Sequence, residues 1–380
     1  MTGISPLNPK HEFAGASLAP YGPPEGCVLL VETFGQLEIE YAAIRKAAAL
    51  IDLPHRAVIA ITGDDRIEFL NRMVTQELKD LAPGDVRRSF WLNRKGRIDA
   101  DLTLLHRPDQ ILVDLDVHAV TRTIDSLSEF IFTEDVRIDN AGDRLHRLAL
   151  HGPGATARLA GIADEPHRDA IAMLEPDHCA QVSLVGVDAT VFRHDSTGEV
   201  GLELILPTDH TERVYDALVG DDAKAARPAG WHAYNVARIE AGTPIYNLDF
   251  GPDSLPHETG VLGDRVSFTK GCYLGQEVVA RIHALGHPKQ RLVALRLEQT
   301  DEPSPLPITG TSVHPERDPG GKVIGAITSS TISPMLGAQP IMFAMVRYAQ
   351  SEPGTRFSLL AEGTTAVATV QDSLTFWSRS

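Results

Sequence analysis

Residues 57–74 read AVIAITGDDRIEFLNRMV, and two periodicities meet inside them. The first six residues form a short apolar run rich in β-branched side chains, which is strand chemistry. Gly63 breaks that run. From Asp64, a fair helix N-cap, the apolar positions Ile67, Leu70 and Val74 recur at helical spacing, with Leu78 continuing them. Downstream, residues 98–105 and 111–115 are strand-like, 119–131 is an amphipathic helical stretch and 136–138 a last strand. The order is β-α-β-β-α-β, the split-βαβ or ferredoxin-like unit. A second pass then begins. Residues 145–150 are strand-like, Gly152, Pro153 and Gly154 follow, and 155–159 is helical. Strands are expected at 181–185, 189–193 and 202–206, and a helix at 212–219. Two similar α+β halves with a junction near 141–145 are the expectation. The alternative is that an α+β chain offers such strand–glycine–helix junctions by chance.

The flanks differ in character. Residues 1–30 are read as an irregular segment and 39–50 as a helix. Beyond Ala284 helical spacing fades. Strand-like runs at 292–297, 323–329, 341–346 and 366–370 are separated by proline and glycine, the mark of a small antiparallel barrel or sandwich. The boundary is placed near 285–289, giving an α+β domain over 31–285 and a β domain over 286–380.

Composition narrows the function classes. A chain of 380 residues exceeds what one ordinary core serves. Its formal net charge of −16 repels nucleic-acid phosphates and anionic lipid surfaces, so neither nucleic acid nor membrane is an expected partner. No apolar run approaches the roughly 20 residues of a membrane helix. Residues 1–26 lack both the charged-then-apolar pattern of a secretory signal and the arginines of a mitochondrial one. The three cysteines, Cys27, Cys179 and Cys272, are far apart and form no C-x-x-C, so neither a disulfide framework nor a zinc site is expected. A reducing, cytoplasmic address follows. His283 and His287 stand four apart, but Gly286 and Pro288 interrupt the helix a metal pair would need, and no metal is expected.

Residues 270–277 read KGCYLGQE. Gly271 and Gly275 would present Cys272 on a tight loop. Lys270, Arg281 and the N-terminus of a helix starting near Glu277 would favour its thiolate. The opposite reading makes Cys272 a small buried hydrophobe and Lys270 a solvated surface charge. With VVAR and Gly286 following, the string Lys270, Gly271, Cys272, Tyr273, Leu274, Gly275, Gln276, Glu277 resembles the hallmark of the YgfZ family. That family is related to the glycine-cleavage T-protein (aminomethyltransferase), binds tetrahydrofolate and is linked to assembly or repair of iron–sulfur enzymes. Further stretches are similar to the same superfamily: 37–56 to its first helix, STGEVGLEL at 196–204 to its T-G-E-x-G-x-E block, ARIEAG at 237–242 to its R-L-E-A-G helix, and GAITSSTISP at 325–334 to its barrel. The resemblance implies the T-protein fold: two interleaved ferredoxin-like α+β subdomains around a central folate pocket, plus a C-terminal antiparallel β-barrel.

It also implies roles. Glu199 matches the glutamate that accepts the paired N–H groups of a pterin edge; a surface turn is its other reading. Asp101 matches the aspartate beside the folate nitrogen that carries the one-carbon unit, and shares a strand face with Asp99; two exposed strand aspartates are the alternative. Arg238 matches the arginine of the family's R-L-E-A-G helix, which could anchor folate or a neighbouring carboxylate, against an ordinary surface salt bridge. The T-protein carries an aromatic residue just before T-G-E, where this chain has Ser196. The implied cofactor is tetrahydrofolate or a one-carbon derivative. The implied partners are iron–sulfur client or assembly proteins, with Cys272 as the working thiol. Two other readings remain: a one-carbon transferase of the T-protein type, and a non-enzymatic folate-binding regulator.

Overall fold

The computed structural model describes residues 5–220, 222, 224–298, 306–361 and 363–378. The chain divides into two compact units, Met1–Trp91 with Ala100–Tyr234, and Leu92–Asp99 with Asn235–Ser380.

The first unit is built on two sheets. One runs Val86–Leu92, Ile98–His106, Ile111–Asp116, Arg56–Thr62, Arg137–Asn140. Helix Arg66–Met73 follows Arg56–Thr62, and helix Val120–Ser128 follows Ile111–Asp116. The sequence reading lacked the strand Val86–Leu92, because Arg87 and Arg88 at its start hide the apolar run Phe90, Trp91, Leu92. That added strand lies at the edge of the sheet. Arg56–Thr62 pairs antiparallel with Ile111–Asp116 on one side and Arg137–Asn140 on the other, the strand order expected of a ferredoxin-like unit.

The other sheet runs Cys179–Leu184, Val187–Arg193, Gly201–Pro207, Leu145–His151, Ala49–Asp52, Arg227–Pro228. It borrows Ala49–Asp52 from ahead of the first half, so the halves interleave. This corrects the helix expected over 39–50: it is Leu37–Lys46, and the chain then turns into a strand. The Ala47 carbonyl is taken by the Gly154 N–H at 2.7 Å, and a Cβ on Gly152 would sit 2.5 Å from the same oxygen. The glycines at 152 and 154 thus receive the end of that helix.

The stretch expected to be irregular is ordered from Ser5. It forms helix Asn8–Phe13 and an antiparallel pair, Ser17–Tyr21 with Val28–Thr33. Its order comes from distant side chains. Asp52 accepts from Ser5 Oγ at 2.5 Å and pairs with His11 at 3.0 Å and His146 at 2.6 Å, all buried. Local pattern cannot reveal such contacts.

The two sheets are tied by a buried charge hub. Arg147, on the second sheet, is 1% exposed. It reaches Glu203 Oε2 on the neighbouring strand at 2.6 Å and Asp114 on the first sheet. Asp114 also pairs with Arg56. Burial alone would push the Glu203 carboxyl up, but His194 and Arg147 bring it down to about 2.

In the second unit, six strands close an antiparallel barrel: Gln290–Leu297, Gln339–Arg347, Gly325–Ser333, Ser312–Pro315, Arg356–Ala361, Thr364–Val370. Leu295, Met342 and Phe357 are among its interior residues. The short strands Ser312–Pro315 and Arg356–Ala361 were absent from the sequence reading, which had too few alternating positions there to find them. The barrel starts close to the boundary placed near 285–289, but the compact unit around it begins earlier, at Asn235.

The hub makes a pH prediction. A carboxyl held down in the folded state contributes stability above its unfolded value of 4.5, and that contribution is lost as pH falls toward about 2. Urea unfolding of the wild type should weaken over that window, and Glu203→Gln should flatten the dependence. Arg147→Met, which takes from Glu203 and Asp114 their shared buried partner, should cost about 3–5 kcal/mol at neutral pH. An unchanged urea midpoint for Arg147→Met would remove the hub from the stability account.

Candidate functional site

The block STGEVG is a turn that leads into strand Gly201–Pro207, and its glycines have physical causes. Gly198 has φ +77, a left-handed conformation that suits glycine. A Cβ on Gly201 would lie 2.1 Å from the His194 carbonyl. Asp195 closes the turn: its carboxylate accepts from the Gly201 N–H at 2.9 Å and is gripped by Arg193 at 3.0 and 3.1 Å.

Two helices hold the turn from outside. Arg45, on helix Leu37–Lys46, donates to the Thr197 carbonyl at 2.6 Å while its guanidinium lies over the Tyr41 ring. Tyr234, in helix Trp231–Ala241, donates to Ser196 Oγ at 3.1 Å. Its ring also faces His151 at 5.6 Å. His151 is fully buried, and burial lowers it to about 4, so it is neutral at pH 7. Glu199 is only 4% exposed, which excludes the surface-turn reading. A carboxylate at that depth has to be met by donors.

Asp101 lies on strand Ile98–His106, whose burial alternates so that Asp99, Asp101 and Thr103 share the half-buried face. Its charge reaches Arg56, where it adds to the pull of Asp114. Asp101 and Glu199 belong to the first unit.

Arg238 and the 270–277 motif belong to the second unit. Arg238 is 1% exposed. It pairs with Asp249 Oδ2 at 2.5 Å and donates to Ser329 Oγ at 2.5 Å, Asn235 Oδ1 at 2.9 Å and the Thr243 carbonyl at 3.3 Å. Asp249 in turn accepts from Ser329 and Thr328 of the barrel. Arg238 is thus an ion pair, buried rather than superficial, that locks its helix onto barrel strand Gly325–Ser333.

In the motif, Cys272 is exposed, which removes the buried-hydrophobe reading. Helix Gln276–Leu285 begins directly after Gly275. Gly275 has φ +79, and a Cβ there would meet the Asn93 carbonyl at 2.6 Å. Gly271 has open space around it and no such constraint. Lys270 is buried, with Nζ 5.4 Å from the centre of the Tyr273 ring, rather than solvated. Burial raises the Tyr273 phenol to about 12. Gln276 is half-buried and Glu277 exposed in the first turn of the helix. No group of three or more His, Cys, Asp or Glu side chains among the described residues could hold a metal ion. Arg45, Tyr234, Asp195 and Asp249 escaped the sequence reading. Only Arg45 left a signal there, one helical turn from Tyr41.

A closed barrel, and interleaved α+β halves that carry a glycine-shaped T-G-E turn, are the parts of an aminomethyltransferase-type fold. The GCVT N-terminal domain matches residues 12–270, and the glycine cleavage T-protein C-terminal barrel domain matches 290–376. A probable aminomethyltransferase of Halobacterium salinarum is 30% identical over 378 residues, covering 96% of both chains. An aminomethyltransferase of Deinococcus deserti is 28% identical over 374 residues, 97% of this chain and 95% of that one. The crystal structure of glycine cleavage system aminomethyltransferase T from Bartonella henselae superposes with a TM-score of 0.84 at 24% identity, over 99% and 98% of the two chains. The chain belongs to the glycine cleavage T-protein family.

The thiols provide a test. Cys179 is buried, and burial pushes it to about 12, while Cys272 is exposed. Brief alkylation of the native protein near pH 8, read by peptide mass spectrometry, should label Cys272 and spare Cys179. Equal labelling of the two would mean that strand Cys179–Leu184 opens readily in the native state.

Proposed function

We propose that this chain binds tetrahydrofolate and acts on a one-carbon group carried by it, as an aminomethyl transferase of the T-protein type. The observation that carries the reading is Glu199, buried at 4% exposure on a turn fixed by Arg45, Tyr234 and Asp195. Such a carboxylate suits the pterin edge, which offers two N–H donors side by side. Tetrahydrofolate, when bound, supplies the nitrogen that carries the one-carbon unit. Glu199 then orients the ring, and Asp101 holds or moves a proton at that nitrogen. Full-length relatives named aminomethyltransferases support the assignment.

A second reading rests on Cys272. An exposed thiol in a string that resembles the YgfZ hallmark favours a folate-binding accessory factor for iron–sulfur proteins, with client or assembly proteins as partners in the cytoplasm. One thiol cannot hold a cluster alone, so any cluster would be shared with a partner.

Titration calorimetry with tetrahydrofolate should give saturable heat, and Glu199→Ala should weaken binding by about 1–3 kcal/mol. Unchanged affinity in that variant would take Glu199 out of the site. Cys272→Ser separates the two readings. Aminomethyl transfer measured with purified components should survive it under the first. Cellular iron–sulfur enzyme activities should collapse with it under the second. Serine-variant cells with wild-type activities would leave the transferase reading alone.

A further inference from the structure

A cavity of about 440 Å³ opens on the first unit, at the far end of the sheet from the Glu199 turn. Strand Gly201–Pro207 pairs with Leu145–His151 so that Gly201 lies opposite His151 and Pro207 opposite Leu145. Glu199 precedes the Gly201 end. Leu145, Ile205 and Pro207 line the cavity at the other end. Six strand steps of about 3.3 Å put roughly 20 Å between the two ends. The cavity is therefore not part of the site described above.

Its chemistry is two-sided. The floor is apolar: Leu112, Leu145 and Ile205 line it, and Leu112 and Ile205 belong to a buried core cluster against which Leu145 packs. Arg107, Gln181, His167, Asp188 and Thr190 add the polar part. With its amide oxygen toward the guanidinium, Gln181 accepts from Arg107 Nε and, at 2.7 Å, from Nη2. That two-point contact fixes the plane of the guanidinium. Its remaining nitrogen, Nη1, has among the described residues only a long 3.5 Å contact to the buried Thr190 hydroxyl. Asp109 is 3.7 Å from Nε, on the side already engaged. Asp188 forms no ion pair and no side-chain hydrogen bond among the described residues. The cavity thus carries an oriented cation with an under-used donor and an unmatched carboxylate, with an apolar floor.

A ligand with a single charge answers half of this. A carboxylate alone would meet Arg107 but face Asp188, and an amine alone would meet Asp188 but face Arg107. A polyanion would be repelled by Asp188 and Asp109 together. We propose that this cavity is a second small-molecule site, separate from the Glu199 turn, for a zwitterion with an apolar body, the chemical class of a hydrophobic α-amino acid. The carboxylate would bind Arg107 Nη1, the ammonium Asp188, and the side chain would lie on Leu112, Leu145 and Ile205. The volume is within the range of small-molecule pockets.

The test is a matched set of probes on the full chain: L-phenylalanine, 3-phenylpropionate, which lacks the amine, and phenethylamine, which lacks the carboxylate. Binding is followed by ligand-observed NMR titration to about 10 mM. Saturable binding of L-phenylalanine is expected, with each single-charge analogue weaker by about tenfold or more. Asp188→Asn, an exposed and unpaired position that leaves the fold intact, should lose about tenfold, and Arg107→Gln a similar factor. Glu199→Ala should leave the L-phenylalanine affinity unchanged. Three outcomes would overturn the proposal: no saturation by L-phenylalanine, equal binding of the three probes, or indifference to Asp188→Asn.

Discussion

The first unit hangs on a guanidinium that has no access to water. Arg147 is 1% exposed, and a charge so placed is tolerable only if carboxylates reach it. They come from two directions: Glu203 along its own sheet and Asp114 from the other. Apolar groups of the same volume could hold two sheets together at least as strongly, so net stability is weak grounds for such a hub. We read it as a register device. Sliding either sheet by one residue would turn Asp114 or Glu203 to the opposite face and strand the arginine. The effect reaches neighbouring groups as well. His55 is lowered to about 3, first by burial and then by Arg56, so the imidazole beside the hub is neutral rather than a third cation.

Glu203 is also how the hub bears on the candidate site. It lies four residues beyond Glu199, on the strand into which the T-G-E turn feeds, so fixing Glu203 fixes where that strand begins. The turn itself has little freedom left. Gly198 is left-handed, Gly201 lies against the His194 carbonyl, and Asp195 caps the chain between them. Arg45 and Tyr234 then hold Thr197 and Ser196 from two separate helices. A buried carboxylate on a rigid support is pre-organised for a two-point contact, because little ordering remains to be done on binding.

Sequence reading reached most of this where the cause was local. The strand–Gly63–helix junction, the repeat of that plan at Gly152 and the punctuated barrel strands are periodicities and turn chemistry, and they were legible. Elements with non-local causes were not. Strand Val86–Leu92 hides behind two arginines, Ala49–Asp52 continues an apparently helical run, and helix Asn8–Phe13 is ordered by Asp52, far along the chain. The site divides the same way. Glu199 and Asp101 are visible through the segments around them, whereas Tyr234 becomes a neighbour of Ser196 only in three dimensions. Arg238 teaches a further point: the residue was legible and its surroundings were not. No local pattern announces that Asp249 and Ser329 take up its guanidinium.

The string KGCYLGQE can be analysed by subtraction. Gly275 is accounted for by its positive φ and by the Asn93 carbonyl that a Cβ would strike. Tyr273 is a buried ring, and Lys270 is buried with its ammonium near it. Gln276 and Glu277 open a helix, where an acidic first turn suits the dipole. Each of these identities has a packing or backbone reason, so none demands a further function. Cys272 is different: it is exposed and neither fills a core nor caps the helix. A thiol open to solvent confers no packing stability and adds oxidative risk. What packing does not explain in the motif is therefore Cys272, together with Gly271, which has open space around it.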